Sequence, residues 1–494
     1  MTDQDSPTDP DPDSDSTNPN PNAEHDLATR FPTAYTILFL LIIFVAALTW
    51  VVPAGKYERV MNEEVGREVA VPGTYQTVDP NPQGFVDIML APTAGFYDPD
   101  SYAANAIDVA LFVLFLGGFL GVMNATGAID TGIRSAMRHL KGHEIWMIPI
   151  LMSLFAIGGT TYGMAEETLA FYAILIPVMM AAGFDAVTGV AIILIGAGIG
   201  VMGSTINPFA TVIAANAANI PFTDGIVLRF ILLIGGLVIC SVYVMRYAKR
   251  VKADPSLSVV AKQWDAHRRL FLQGHEKGVE DATLNGTQMV ALVIFALTFA
   301  VMIWGVSSQG WWMARMGSLF FGSAILIGLI ARLGEKKLTG SFVDGARDLL
   351  GVALVVGLAR GIVVIMDQGM IADTILHSAE TSLGGLPQLA FINLMFWIEA
   401  GMSFFVPSSS GLAVLSMPIL APLADFANVG RDLVVTAYQS ANGLVNLINP
   451  TFAVVVGGLA IGRVSYDRWI AFIWPLLVIL VIFITVVISA ATFL

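Results

Sequence analysis

After an opening polar stretch, apolar residues run in blocks long enough for helices of about 20 residues that cross a bilayer. The clearest blocks are 33–52, 106–123, 226–246, 287–306, 314–331, 349–366 and 469–493. Two further apolar regions, 145–222 and 387–462, are interrupted by Gly, Pro, Ser, Thr and Asn. The continuous blocks predict transmembrane helices. The interrupted regions predict helices that break at membrane depth, where bare backbone is tolerable only if protein or a water-filled cavity surrounds it.

Composition fits this reading. The chain has 494 residues, 56% hydrophobic and 13% charged, with a mean hydropathy of +0.73. A soluble domain is about one quarter charged, so an ordinary soluble enzyme is excluded. The net charge of −13 argues against a nucleic-acid partner. A single cysteine, Cys240, leaves no intramolecular disulfide and no multi-cysteine metal centre. Residues 1–29 hold eight acids and no Lys or Arg, so segment 1–30 is expected to be a disordered, solubilising acidic tail.

Charge also sets the expected orientation. Segment 124–144 carries Arg134, Arg138 and Lys141; segment 246–287 carries eight basic residues; and 332–348 adds Lys336, Lys337 and Arg347. Loop 53–105 has three basic residues against eight acids. Basic loops stay inside, so a multi-pass protein of the plasma membrane is expected, with a cytoplasmic N-terminus and loop 53–105 outside.

The interrupted regions resemble each other. The first contains GGTTYGMAEETLAFYAILIPVMMAAGF and then GSTINPFATVIAANA; the second contains GMSFFVPSSSGLAVLSMPILAPLADFA and then NLINPTFAVVVGGLA. Pro177 precedes Pro208 by 31 residues and Pro418 precedes Pro450 by 32. Counting spans, the two copies enter from opposite sides, which predicts inverted-topology repeats of the kind found in secondary transporters. Proline after asparagine removes a backbone donor and pushes its predecessor out of helical geometry. Breaks are therefore expected at Asn207-Pro208 and Asn449-Pro450. Ser204, Thr205 and Asn207 furnish one break, and Asn446, Asn449 and Thr451 the other, as candidate ligands for a polar solute or Na⁺.

The blocks FPTAYTILFLLIIFVAALTWVVPAGKYERV, GTTYGMAEETLAFY, GAGIGVMGSTINPFATVIAANAA and VPSSSGLAVLSMPILAPLAD followed by NLINPT resemble the YfcC family, which is grouped with the anaerobic C4-dicarboxylate carriers in the ion transporter superfamily. The resemblance covers about residue 30 to the end and weakens around 250–285. It implies an all-α polytopic membrane protein of two inverted-topology repeats, each with a re-entrant hairpin and a broken transmembrane helix, a dimerisation scaffold and hence a homodimer, and elevator-type motion. The implied organisation is a first repeat over 31–246, with a hairpin near 150–183 and a broken helix near 187–219. A cytoplasmic linker over 247–286 and a linking helix over 287–313 follow. The second repeat spans 314–494, with a hairpin near 399–426 and a broken helix near 432–462. The hairpin residues Thr160, Thr161, Ser408, Ser409 and Ser410 join the candidate site. A coupling cation at Ser204, Thr205, Asn207 and Asn449 is the Na⁺ expectation, with H⁺ as the alternative coupling ion and no bound cofactor. Val-Asn-Leu-Ile-Asn-Pro in the second repeat departs from Gly-Ser-Thr-Ile-Asn-Pro in the first, so the resemblance does not imply an equal role for the two cation sites.

The family offers two solute classes, dicarboxylates and basic amino acids. Glu166 and Glu167 in the first hairpin, and Glu399 before the second, are carboxyl groups in apolar surroundings, where an ionisable residue marks function. Such groups suit a cationic solute or a coupling proton; Glu166 or Glu167 could instead clamp hairpin-tip amides. Arg360 and Asp367, seven apart on one helical face, read as a structural or snorkelling pair set away from the hairpins. Amino acids are therefore the favoured solute, with a Na⁺- or H⁺-coupled dicarboxylate carrier as the alternative.

Three patterns are set aside. Gly198, Gly200 and Gly203 form GxGxxG, but Pro208 and the membrane-length flanks contradict a dinucleotide site, and close helix packing is expected there and at Gly117/Gly121 and Gly357/Gly361. His139 and His143 lack a third metal ligand in sequence. Asn285 begins a glycosylation triplet on the predicted cytoplasmic side. An intramembrane enzyme would need an acid–base set with histidine, and a receptor would not need two broken helices, so the chain reads as a transporter and not an enzyme.

Overall fold

The computed structural model describes residues 34–62, 67–129, 131–132, 143–272 and 284–493. The acidic tail, His139 and most of the basic segment near 134–141 lie outside the described residues.

Among the described residues nineteen helices dominate. In chain order they are α1 (Ala34–Leu48), α2 (Phe85–Ala94), α3 (Ile107–Ala125), α4 (Met147–Thr161), α5 (Leu169–Ala181), α6 (Ala186–Met202), α7 (Ile213–Ala217), α8 (Ile226–Ala253), α9 (Trp264–Leu272), α10 (Gly286–Gln309), α11 (Met313–Ile330), α12 (Glu335–Asp348), α13 (Leu350–Gln368), α14 (Ala372–Leu383), α15 (Gln388–Phe405), α16 (Ser409–Phe426), α17 (Arg431–Val445), α18 (Ala453–Ile461) and α19 (Tyr466–Ala491). Among the described residues nine helical stretches are long and apolar enough to cross a membrane, so the chain is a multi-pass membrane protein. Four short strands, β1 (Gly55–Lys56), β2 (Arg59–Asn62), β3 (Arg67–Ala70) and β4 (Gln76–Thr77), form two antiparallel ladders in the loop after α1, β1 with β4 and β2 with β3.

Two segments share one plan. In the first, α4 and α5 form a helical hairpin, α6 follows, and the chain breaks at 203–207 before a π-helical turn, Pro208–Val212, leads into α7. In the second, α15 and α16 form the hairpin and α17 follows, with a break before α18. The second hairpin begins at Gln388, earlier than the residue near 399 expected from the sequence, because Pro387 provides the helix start and the apolar face runs on from there.

Small residues let the helices approach. A hypothetical Cβ on Gly200 of α6 would sit 2.3 Å from the Ala156 carbonyl oxygen, and one on Gly159 of α4 would sit 2.3 Å from that of Ala197. Gly117 and Gly121 of α3 meet the backbone of Gly345 and Ser341 on α12, and Gly361 of α13 meets Ala91 of α2. In lipid, where apolar burial gives helices no net drive to associate, such close backbone contact supplies the dispersion attraction. Gly198 and Gly203 are similarly crowded, by Leu447 and by the Leu233 backbone. The glycine pattern is thus helix packing, as expected.

The helices α6 and α17, which hold the same place in the two segments, cross antiparallel. Gly198 is approached by Leu447, Gly443 by Met202, and Gln439 bonds to Ser204. A second group, α3 with α10, α11 and α12, is built around stacked aromatic rings; Phe119 lies 5.4 Å from Phe295 and 5.1 Å from Phe320. Helix α13 packs against α1, α2, α3 and α18, so it lies between this group and the hairpins.

Candidate functional site

The tips of both hairpins and both helix breaks converge on one cavity of about 360 Å³, a size that suits a small metabolite. From the first hairpin come Gly163, Glu166 and Glu167, and from the first break Asn207. The second hairpin tip gives Ser408, Ser409 and Ser410, and the second break gives Asn446 and Thr451. Asp108 of α3, Trp312 beside α11 and Arg360 of α13 complete the wall. Eight of the thirteen sequence-selected residues therefore line this cavity: Glu166, Glu167, Asn207, Ser408, Ser409, Ser410, Asn446 and Thr451.

The other five build its walls. Thr160 and Thr205 share a hydroxyl contact of 3.0 Å, and the Thr160 hydroxyl accepts the Thr205 amide at 3.0 Å. Ser204 pairs with the Thr211 hydroxyl at 2.6 Å. Thr161 turns back to the Ile157 carbonyl of its own helix at 2.6 Å. Asn449 is also absent from the lining. The four residues expected to hold Na⁺ fall into two clusters, with Asn449 in the second break and Ser204, Thr205 and Asn207 in the first.

Asn207 and Asn449 do the same mechanical task. Asn207 donates to the Gly159 carbonyl at 3.1 Å and accepts the amides of Phe209 and Ala210 at 2.8 and 3.1 Å. It ties the end of α4 to the start of the next half-helix. Asn449 donates to the carbonyls of Ser403 and Phe404 at 3.0 and 3.2 Å and accepts from the Thr451 amide and hydroxyl at 3.0 and 2.8 Å. Both its protons and both its lone pairs are thereby used. Replacing Asn449 by Ala leaves two carbonyls and an amide without these partners at membrane depth. At about 1 kcal/mol or more per lost bond, the variant should be less stable by about 2–4 kcal/mol, seen as a lower melting temperature of the detergent-purified protein. A melting temperature equal to wild type would show that the clasp contributes nothing.

Arg360 requires a correction. The sequence suggested a structural or snorkelling role, paired with Asp367 and away from the hairpins. In the structure Arg360 lines the cavity together with Val356, Ala359 and Val363, a helical face repeating at three and four residues. A different face packs on α2 and the residues just after it, Gly361 against Ala91 and Gly357 against Phe96. Among the described residues its guanidinium makes no close ion pair or hydrogen bond, but Asp367 shares with it a neighbouring cavity of about 540 Å³ and interacts with it electrostatically, so the pairing is long-range and only the placement away from the hairpins is overturned. Arg360, Val363, Val406 and Ser408 border both cavities.

The neighbouring cavity is covered by the strand loop. Arg59 pairs with Asp373 at 2.7 Å, and the Tyr57 amide donates to the same carboxylate at 3.1 Å. The Tyr57 hydroxyl donates to Glu380 at 2.7 Å. Burial and the Glu380 carboxylate push that hydroxyl well above the usual tyrosine range, so it remains a donor.

Cavity charge is lopsided. Glu166, Glu167 and Asp108 face one guanidinium, Arg360. The Glu167 carboxylate accepts the Ala165 amide at 3.0 Å and so braces the tip, while Asp108 accepts the Trp312 indole N–H. Trp312 in turn lies 5.9 Å from Phe209, ring to ring. The first turn of the 18-residue helix α16 also borders the cavity, through Ser409 and Ser410, and its partial positive charge favours an anionic group.

Sequence reasoning missed three supporting side chains. Gln439 of α17 donates to the Ser204 carbonyl at 2.9 Å and accepts from the Thr211 hydroxyl at 3.1 Å, bridging the two similarly built segments. Asn442 joins Ser403 at 2.8 Å and Ser409 at 3.0 Å. Arg229, fully buried, donates to the carbonyls of Thr205, Phe222 and Asp224, satisfying acceptors that the first break leaves. An isolated basic residue four positions into the apolar run of α8 was the available signal.

Comparison with known proteins finds matches over nearly the whole chain. Residues 31–493 match the family model of the C4-dicarboxylate anaerobic carrier. An uncharacterized protein of Haemophilus influenzae (strain Rd) is 36% identical over 488 residues, covering 91% of this chain and 94% of the relative. A protein of Escherichia coli (strain K12) named “Putative basic amino acid antiporter YfcC” is 32% identical over 495 residues, 93% of this chain and 96% of the relative. Two solved structures are similar: the YdaH transporter of Alcanivorax borkumensis, with 14% identity, 93% of this chain and 98% of that chain covered and a TM-score of 0.39, and MtrF of Neisseria gonorrhoeae, with 15% identity, 95% and 96% covered and a TM-score of 0.40. With nearly its whole length matched, the chain belongs to the C4-dicarboxylate anaerobic carrier family and is a membrane transporter of the YfcC type.

Proposed function

We propose that the protein is a secondary transporter of basic amino acids, working by alternating access between two inverted repeats. The observation that carries the solute class is the charge of the cavity, three carboxylates with one guanidinium. A basic amino acid presents two cations and one carboxylate, which match the carboxylates and Arg360. A dicarboxylate would present two anions to a single cation and meet repulsion from Asp108, Glu166 and Glu167. The name of the Escherichia coli relative supports the same class. The family description supports the dicarboxylate alternative, for which Arg360 and the α16 N-terminus are the available anion partners.

The antiparallel crossing of α6 and α17 supports inverted repeats, and the cavity between the hairpins and the α3, α11 and α13 wall supports an elevator-type displacement of one group against the other. Purified protein in liposomes preloaded with unlabelled arginine, lysine, ornithine or succinate should accelerate entry of labelled arginine or ornithine, and succinate should compete poorly. Efficient succinate exchange with no effect of basic amino acids would replace this reading with the dicarboxylate one. No exchange of any solute would end it.

A further inference from the structure

Glu399 is not used by the cavity. It lies within α15, is fully buried, and among the described residues neither carboxyl oxygen stands in hydrogen-bond geometry with a partner. The helices packed against α15 are α14, α16, α17 and α19. Of these, α17 brings one titratable group toward it, the Tyr438 hydroxyl, and α16 brings Ser416; among the described residues α14 and α19 bring no charged side chain to it. Ser416 spends its proton on the Leu412 carbonyl at 2.9 Å, and Tyr438 donates to the Ser409 carbonyl. Among the described residues no cation offsets the carboxyl.

From this geometry we infer that Glu399 is a proton-binding site, loaded while the second hairpin is packed against α17 and emptied when that packing opens to water. An ionised carboxylate left unpaired in such a place costs several kcal/mol, whereas the neutral acid costs far less. The packed hairpin therefore accepts Glu399 only with its proton, and any movement that hydrates it releases the proton. One turn along α15, Ser403 receives Asn442, which also receives Ser409 at the cavity wall. The helix that carries the carboxyl is thus tied to the cavity wall by two hydrogen bonds made one turn away, not through the carboxyl itself. Superimposing the clasps, Asn207 on Gly159 and Asn449 on Ser403, sets Phe155 at the corresponding place in the first hairpin, where it packs on Phe171 at 5.3 Å. The acid thus belongs to one repeat alone.

The inference assigns the coupling ion of the proposed transporter, and its test has one arm that needs no solute. Infrared spectra of the wild-type protein in lipid at neutral pH should contain the C=O stretch of a protonated carboxylic acid that is missing from Glu399→Gln. Gln is neutral and nearly isosteric, so it should fit the packed hairpin; Glu399→Met serves if Gln does not insert. Absence of that band in wild type would overturn the assignment, whatever the solute. In the second arm, an imposed pH difference should change the initial rate of labelled basic amino-acid uptake at least fivefold in wild type and leave it unchanged in Glu399→Gln, which should still exchange solute for solute. A variant that retains the full pH response would also overturn the assignment. Failure of wild-type exchange would instead count against the solute reading, and the infrared arm would still decide the proton site.

Discussion

Arg360→Ala should lower the efficiency of basic amino-acid uptake by about 30-fold or more. Among the described residues the guanidinium makes no hydrogen bond or close ion pair, Asp367 acting on it only at longer range, and it faces the cavity, so a bound carboxylate would be its close counter-ion. Removing one member of a desolvated charge pair costs about 2–5 kcal/mol. Much of that cost comes from the partner left alone, here the solute carboxylate. A matched control separates this from general damage: the decarboxylated diamine, which lacks the group that Arg360 would hold, should compete for binding about equally well in wild type and variant. Arg360→Lys should recover part of the loss, since lysine keeps the charge but not the planar two-pronged contact. If the variant transports arginine at the wild-type rate, Arg360 does not contact the solute and the charge argument loses its anchor.

Glu166→Gln is expected to raise the KM for arginine or lysine by about 10- to 100-fold, the equivalent of about 1–3 kcal/mol for a charge-assisted contact. Neutral amino acids, if they bind at all, should be affected much less. Glu167→Gln should behave differently, because its carboxylate already accepts the Ala165 amide at 3.0 Å and holds the hairpin tip. That variant should lose folded yield as well as affinity. Equal KM values for cationic solutes in wild type and Glu166→Gln would mean that the carboxylates serve the tip alone, and the dicarboxylate alternative would gain. Dicarboxylate binding, if it occurs, should strengthen in the same variant, since one repelling charge has been removed.

Much of the fold is legible in the chain because lipid simplifies the code. The continuous apolar run 226–246 lies within α8 and the run 469–493 overlaps α19 up to Ala491, and the Asn-Pro pairs mark places where helix geometry cannot continue. The hairpin tips and breaks were legible for the same reason: polar residues without an aqueous surface must face each other or a cavity. What could not be read is depth and rotation. Arg360 and Asp367 share a helical face in sequence, yet whether that face meets a neighbouring helix or an open space depends on how far the hairpins reach. The packing of Gly357 and Gly361 on α2 and the residues just after it fixes that rotation, and it is a tertiary fact. Asn449 shows the opposite error of emphasis. Its residue type suggested a ligand, but two carbonyls, an amide and a hydroxyl fully engage its side chain. Gln439 was invisible because its partners, Ser204 and Thr211, lie more than 200 residues away.

The Gln439 bridge has a mechanical consequence. It fastens the fractured helix of one half of the chain to the intact stretch of its counterpart, next to backbone contacts so close that neither can slide without unlocking the other. The two fractures therefore form a single chassis. In the proposed transporter a solute would sit against this joined unit, and the parts left to move relative to it are the hairpins and the outer wall, where Asp108, Trp312 and Arg360 stand.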